Sequence, residues 1–143
     1  MKRTVLLAIA VTAMLLGATV QGRTASLVAR VDVSSQTMTI SQYGRVIYNW
    51  PVSTAGSGYI TPRGNYRPTR LHRMWHSRKY EMSPMPFSVF FRGGYAIHGT
   101  NAVKRLGTPA SHGCIRLHTA NAQRFYSMVK QVGPGNTRIV VVN

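Results

Sequence analysis

Apolar and polar residues alternate along the first half of the chain with the period of a β-strand. Leu27, Ala29, Val31 and Val33 are the apolar positions of segment 27–33, and a period of two places them on one face of an extended chain. Ser34-Ser35-Gln36 reads as a turn, and alternation resumes over Thr37–Ser41 through Met38 and Ile40. After a second turn at Tyr43-Gly44, Arg45–Ser53 is a third strand, so the pattern predicts a three-stranded meander. Residues 54–64, rich in Gly, Ser, Thr and Pro, read as loop, and Asn65–Leu71 as a strand. Ser83-Pro84-Met85-Pro86 reads as a break in regular structure. Phe87–Phe91 is then a strand, Arg92-Gly93-Gly94 a hairpin-like turn, and Tyr95–His98 a short strand ending at His98. Residues 99–113 read as a loop holding Gly107 and Pro109, longer than a connector needs.

The period changes near the C-terminus. Thr119 is a suitable helix N-cap, and Phe125, Met128, Val129 and Val132 follow helical spacing. Gly133-Pro134-Gly135-Asn136 stops that helix, and Thr137–Val142 is a last strand, apolar enough to be central. The pattern therefore predicts a mainly β domain with one helix after the segment that holds Cys114.

The N-terminus has a different character. Lys2 and Arg3 precede the apolar run Val5–Leu16, and no charge falls between Thr4 and Gly22. This predicts a signal peptide over residues 1–22 and a single domain over residues 23–143, with no stable membrane insertion after cleavage. An uncleaved anchor is the alternative, although Thr12, Gly17 and Thr19 dilute the run. The leader contains no cysteine for lipid attachment. Export places the domain in the periplasm or cell wall, where paired cysteines would form disulfides. Cys114 has no cysteine to pair with. A free exported thiol is a liability unless it performs chemistry; the competing reading is a small buried hydrophobe.

Charge narrows the chemistry. The chain carries 18 Lys and Arg against 2 Asp and Glu, a formal net charge of +16. Such a surface is drawn to polyanions, here an anionic cell wall. The densest basic stretch holds Arg63, Arg67, Arg70, Arg73, Arg78 and Lys79, interleaved with Tyr66, Trp75 and Tyr80. It supports a rival, non-catalytic reading: a basic module that binds polyanions or cell wall. No nucleic-acid partner is expected of an exported chain. Asp32 and Glu81 are the only acidic residues. Paired-carboxylate hydrolysis would require these two to meet, and a carboxylate-rich calcium or magnesium site is unavailable. The chemistry left uses Cys, His, Tyr, Arg and backbone amides. His98, His112 and Cys114 together make a possible zinc set, but a zinc peptidase also wants a carboxylate base. No metal or cofactor is expected.

Three segments carry a family resemblance. Ile97-His98-Gly99-Thr100-Asn101, then the loop, then Ser111-His112-Gly113-Cys114-Ile115-Arg116-Leu117 resembles the L,D-transpeptidase family, the YkuD-type catalytic domain. Thr61-Pro62-Arg63-Gly64-Asn65-Tyr66 is similar to that family's Thr-Pro-x-Gly-x-aromatic segment, and Met85-Pro86 before an aromatic strand matches another. The resemblance covers about residues 26–142. It implies a YkuD-like β-sandwich or barrel-type catalytic domain. It also implies that Cys114 attacks a peptidoglycan tetrapeptide stem, releases D-alanine and passes the acyl group to an amine of a neighbouring stem. Water as acceptor would make the same chemistry an L,D-carboxypeptidase, and a protein amine would attach that protein to the wall.

Roles for single residues follow from this setting. His98 is the expected general base, with the Gly99 carbonyl holding its other ring nitrogen. Backbone N–H groups of Gly113 and Cys114 are the expected oxyanion donors. For His112 two readings stand open, a polar contact to thiol or substrate and a structural role. Arg116 is suited to a substrate carboxylate. Ser111, Tyr95 and Trp75 complete the expected substrate-binding set, the two aromatics being equally compatible with core packing. His72, His76 and His118 read as surface or loop residues.

Overall fold

The computed structural model describes residues 24–143. The expected signal peptide of residues 1–22 lies outside the described residues. Strands β1 (Leu27–Asp32), β2 (Thr37–Gln42) and β3 (Arg45–Pro51) form the predicted meander, each antiparallel to the next. Gln36 closes the first turn at φ 53°. Its buried side chain is bound to Thr54, Nε2 donating to Oγ1 at 2.6 Å and Oε1 accepting from N–H at 2.9 Å.

Strand β4 (Gly64–Tyr66) and strand β5 (Arg70–Ser77) replace the single strand expected over Asn65–Leu71. Arg67-Pro68-Thr69 separates them, with Pro68 buried. Proline lacks the N–H that a continuing ladder would need, and the chain crosses from one sheet to the other at this point. Strand β6 (Ser83–Arg92) corrects a second expectation, because Pro84 and Pro86 lie inside one ten-residue strand. They pair with His76 and Met74 of β5. Being two apart, they turn their missing donors to the same side, away from β5. The next strand, β7 (Tyr95–Thr100), pairs with β6 only from Val89 onward, so no ladder bond is lost there.

Strand β8 (Ile115–His118) was hidden in the sequence between Cys114 and the helix. Helix α1 (Thr119–Val132) is capped by His118, whose Nδ1 accepts from Ala120 N–H at 3.2 Å. Thr119, the expected cap, is the first helical residue, and its hydroxyl donates to Thr100 O at 3.4 Å. Strand β9 (Thr137–Val142) returns between β1, parallel, and β4, antiparallel, and is central as its composition predicted.

The strands make two sheets, five-stranded β3-β2-β1-β9-β4 and four-stranded β5-β6-β7-β8. Leu27, Val31, Met38 and Ile139 of the first meet Val89, Ile97, Ile115 and Leu117 of the second in one core. Ala122, Phe125 and Val129 of α1 close it. Phe125 is fully buried there. Phe125→Ala is expected to lower unfolding free energy by about 3–5 kcal/mol in urea titration. A loss under about 1 kcal/mol would mean that α1 does not close this core.

Candidate active site

Strand alternation builds the site. Strands β7 and β8 run parallel, pairing Ile97 with Ile115, His98 with Arg116 and Gly99 with Leu117. Ile97, Ile115 and Leu117 are fully buried in the shared core. A period of two then turns Ala96, His98, Cys114 and Arg116 to the opposite face. That face floors a cleft of about 800 Å³. Its walls include Arg70 and Trp75 of β5, Phe90 of β6, Tyr95, His112 and the hairpin residues Arg78, Lys79 and Tyr80.

His98 is buried, and its Nδ1 lies 2.7 Å from the carbonyl oxygen of Gly99. A carbonyl only accepts, so Nδ1 carries the proton and Nε2 keeps its lone pair. Burial pushes the imidazole down from 6.5 to about 4; the Gly99 hydrogen bond opposes this and the Arg116 cation adds to it. At neutral pH His98 is an uncharged base of defined tautomer. Gly99 is itself boxed in, since a Cβ there would stand 2.9 Å from the Thr119 backbone and 3.1 Å from Pro86.

Cys114 is half-buried against Met85, Phe90, Ala96 and Trp75. Its thiol donates to Gly94 O at 3.8 Å. Burial raises the thiol above its usual 9.0, while the Ala96 N–H and Arg116 draw it back toward thiolate. One cation thus acts on both partners: Arg116 disfavours imidazolium at His98 and favours thiolate at Cys114. The resting pair is therefore thiol and neutral imidazole rather than thiolate and imidazolium.

The turn before Cys114 is held from beneath. Gly113 has φ +128°, and a Cβ there would come within 2.5 Å of the Tyr95 ring and 2.8 Å of Ile60 O, so glycine is required. Thr61 is fully buried, its hydroxyl donating to Gly113 O at 2.9 Å and accepting from Ala55 N–H at 3.0 Å. Segment 53–56 runs beside the Cys114 segment, Ser53 and Arg116 exchanging both backbone hydrogen bonds at 3.0 and 2.9 Å.

Two expected roles need correction. Ser111 is buried, donating to Cys114 O at 2.6 Å and accepting from Gly113 N–H at 3.0 Å; it staples the turn and does not line the cleft. The same bond engages Gly113 N–H, which is consequently not free to receive an oxyanion. His112 stands at the cleft rim, stacked on Tyr80 at 4.1 Å and edge-on to Tyr59 at 4.6 Å. Arg116, Tyr95 and Trp75 all line the cleft.

No acidic residue lines it. Asp32 is occupied by its own turn, accepting from Ser34 and Ser35, and Glu81 is exposed on the β5–β6 hairpin. Among the described residues no three His, Cys, Asp or Glu side chains are grouped to hold a metal ion, so His98, His112 and Cys114 do not form the zinc set considered above. The basic stretch 63–79 divides. Arg70, Arg78 and Lys79 face the cleft, whereas Arg63 is bonded to Asn143 and Arg67 to Gly135. The bracing by Thr61 and the stacking by Tyr80 were missed in the sequence reading. Thr61 lay within a recognised segment, but nothing in that segment identified its hydroxyl as the support of Gly113.

The chain matches the YkuD family, the L,D-transpeptidase catalytic domain, over residues 26–141. It is 27% identical to the L,D-transpeptidase YkuD of Bacillus subtilis (strain 168) over 115 residues, 78% of this chain and 63% of that one. Among solved structures it resembles an L,D-transpeptidase from Mycobacterium smegmatis with TM-score 0.72 and 26% identity, covering 82% of this chain and 59% of that one. An L,D-transpeptidase from Xylanimonas cellulosilytica gives TM-score 0.72 and 26% identity over 84% and 62% of the two chains. The chain thus spans about three fifths of the length of these relatives. With the family match running from β1 through β9 and across both His98 and Cys114, this chain belongs to the L,D-transpeptidase catalytic domain (YkuD) family.

Proposed function

We propose that this protein is an exported cysteine L,D-transpeptidase that acts on peptidoglycan stems. The observation that carries the reading is that Cys114 and a buried His98, whose tautomer is set by Gly99 O, lie on the floor of one cleft. Cys114 Sγ attacks the carbonyl carbon between the L-centre of the diamino acid and the terminal D-alanine. His98 Nε2 takes the thiol proton and returns it to the departing amine of D-alanine. The thioester is then resolved by an amine of a second stem, whose proton passes to His98 and then to the released thiol. With Gly113 N–H engaged by Ser111, Cys114 N–H is the remaining expected donor for the oxyanion, and Arg116 stays suited to a substrate carboxylate. The resting thiol proton points to Gly94 O, so transfer to His98 follows rotation of the Cys114 side chain; such bonds commonly tighten only with substrate in place. The leader-like sequence of residues 1–22 and the net charge of +16 support export and adhesion to an anionic wall. Hydrolysis or wall-protein attachment would share every step up to the thioester.

Tetrapeptide muropeptides incubated with the protein should lose D-alanine and yield a cross-linked dimer by mass spectrometry. Cys114→Ala should abolish both products, and His98→Asn should slow them by about 10²- to 10⁴-fold. Cross-linking that survives Cys114→Ala would overturn the reading.

His98 also makes stability depend on pH. Its folded pKa lies below the unfolded value, so the unfolded chain binds the proton first as pH falls. The stabilisation is complete above pH 6.5 and is lost as pH approaches about 4. The loss is expected to reach about 3 kcal/mol, read as urea midpoints from pH 7 downward. His98→Asn should flatten that part of the profile, and an unchanged slope would show that His98 does not titrate in this way.

A further inference from the structure

Arg70 is a cation prepared for a ligand that the chain itself does not supply. It sits on edge strand β5, and its guanidinium lies 3.9 Å from the Phe90 ring centre and 5.2 Å from that of Trp75. This aromatic platform restricts the side chain while leaving the edge of its fork open to the cleft that it lines. Arg70 has no acidic partner: the one ion pair among the described residues joins Arg30 to Asp32, and Glu81 does not line the cleft. Arg78 and Lys79 line the same cleft and deepen its positive potential.

Sheet register places this cation relative to the thiol. Arg70 pairs with Phe90, Phe90 with Ala96, and Ala96 is one step before the Ile97–Ile115 pair, opposite Cys114. Three strand spacings separate Arg70 from Cys114, about 14 Å between backbones. Arg116, by contrast, is two residues from Cys114 on the same face. The Arg70 side chain reaches over Phe90, one strand nearer to Cys114, and an extended peptide advances roughly 3.3–3.6 Å per residue, so a donor stem with its scissile carbonyl at Cys114 brings a group about two to three residues away to Arg70.

We propose that Arg70 binds a second carboxylate of the donor peptide, distant from the scissile bond, so that the cleft selects donors with free carboxyl groups over donors in which that group is an amide. The inference rests on the function proposed above and adds its specificity. A guanidinium exchanges two parallel hydrogen bonds with a carboxylate, whereas a neutral amide offers one acceptor and brings N–H groups against the cation.

The test uses the full domain and soluble tetrapeptide donors in which each non-terminal carboxyl group is in turn free or amidated. The readout is kcat/KM for D-alanine release by the wild type, Arg70→Met and Arg70→Lys. The wild type should prefer the free acid at one position by about tenfold. Arg70→Met, which retains apolar contact with the platform, should lose that factor on the acid donor, mainly in KM, and leave the amidated donor unchanged. Arg70→Lys should keep part of the preference. Unchanged turnover of the amidated donor also reports an intact fold. Equal rates on acid and amide donors by the wild type would overturn the inference alone. A parallel fall on both donors in Arg70→Met would overturn it too, pointing to general attraction for a polyanion or to a structural role. No D-alanine release from any donor by the wild type would overturn the proposed function, and this inference with it.

Discussion

The site depends on the parallel pairing of β7 with β8. Two short strands, Tyr95–Thr100 and Ile115–His118, lie side by side with His98 opposite Arg116. Their inward residues Ile97, Ile115 and Leu117 are fully buried, which fixes which face each strand presents. A slip of one residue would drive these apolar side chains outward and His98 into the core. The energy that aligns His98, Cys114 and Arg116 is therefore hydrophobic, supplied by side chains that do not line the cleft.

Electrostatics then assign the protonation states. The scarcity of acids leaves no carboxylate among the residues that line the cleft. A histidine paired with a carboxylate would be held toward imidazolium; His98 is instead held by a backbone carbonyl and kept neutral by burial and by Arg116. Orientation without charge leaves Nε2 of His98 able to accept a proton. The same absence leaves the arginines that line the cleft without an acidic partner among the described residues and open to anionic groups of a ligand.

Rigidity of the Cys114 turn comes from bonds to distant parts of the chain. Ser111 joins the two sides of the turn, Thr61 supports Gly113 from the loop after β3, and Ser53 extends β8 by one bridge. Among the described residues, every buried side-chain nitrogen and oxygen has a hydrogen-bond partner. The turn can therefore hold a glycine at φ +128° and still present one orientation of the thiol.

Local order was legible in the sequence wherever one periodicity ran unbroken. The meander of β1 to β3, helix α1 and strand β9 follow from alternation or helical spacing. The meeting of His98, Cys114 and Arg116 in one cleft and the bond of His98 to Gly99 O were accessible through the resemblance of their segments to a known family, since residue type and spacing alone also admitted a zinc set. Tertiary structure decided what no local pattern carries. It allowed Pro84 and Pro86 inside β6 because β7 does not reach them, and it split Asn65–Leu71 between two sheets at Pro68. It made strand β8 from four residues that gain their partners only from β7 and Ser53. It turned Ser111 inward, occupied Gly113 N–H, and set Arg70 and Tyr80 over the cleft from a hairpin more than thirty residues upstream of Cys114. Periodicity reports the face a residue presents within its own element; which partner covers that face, and which hydrogen-bond donors remain unpaired, is settled only when distant segments meet.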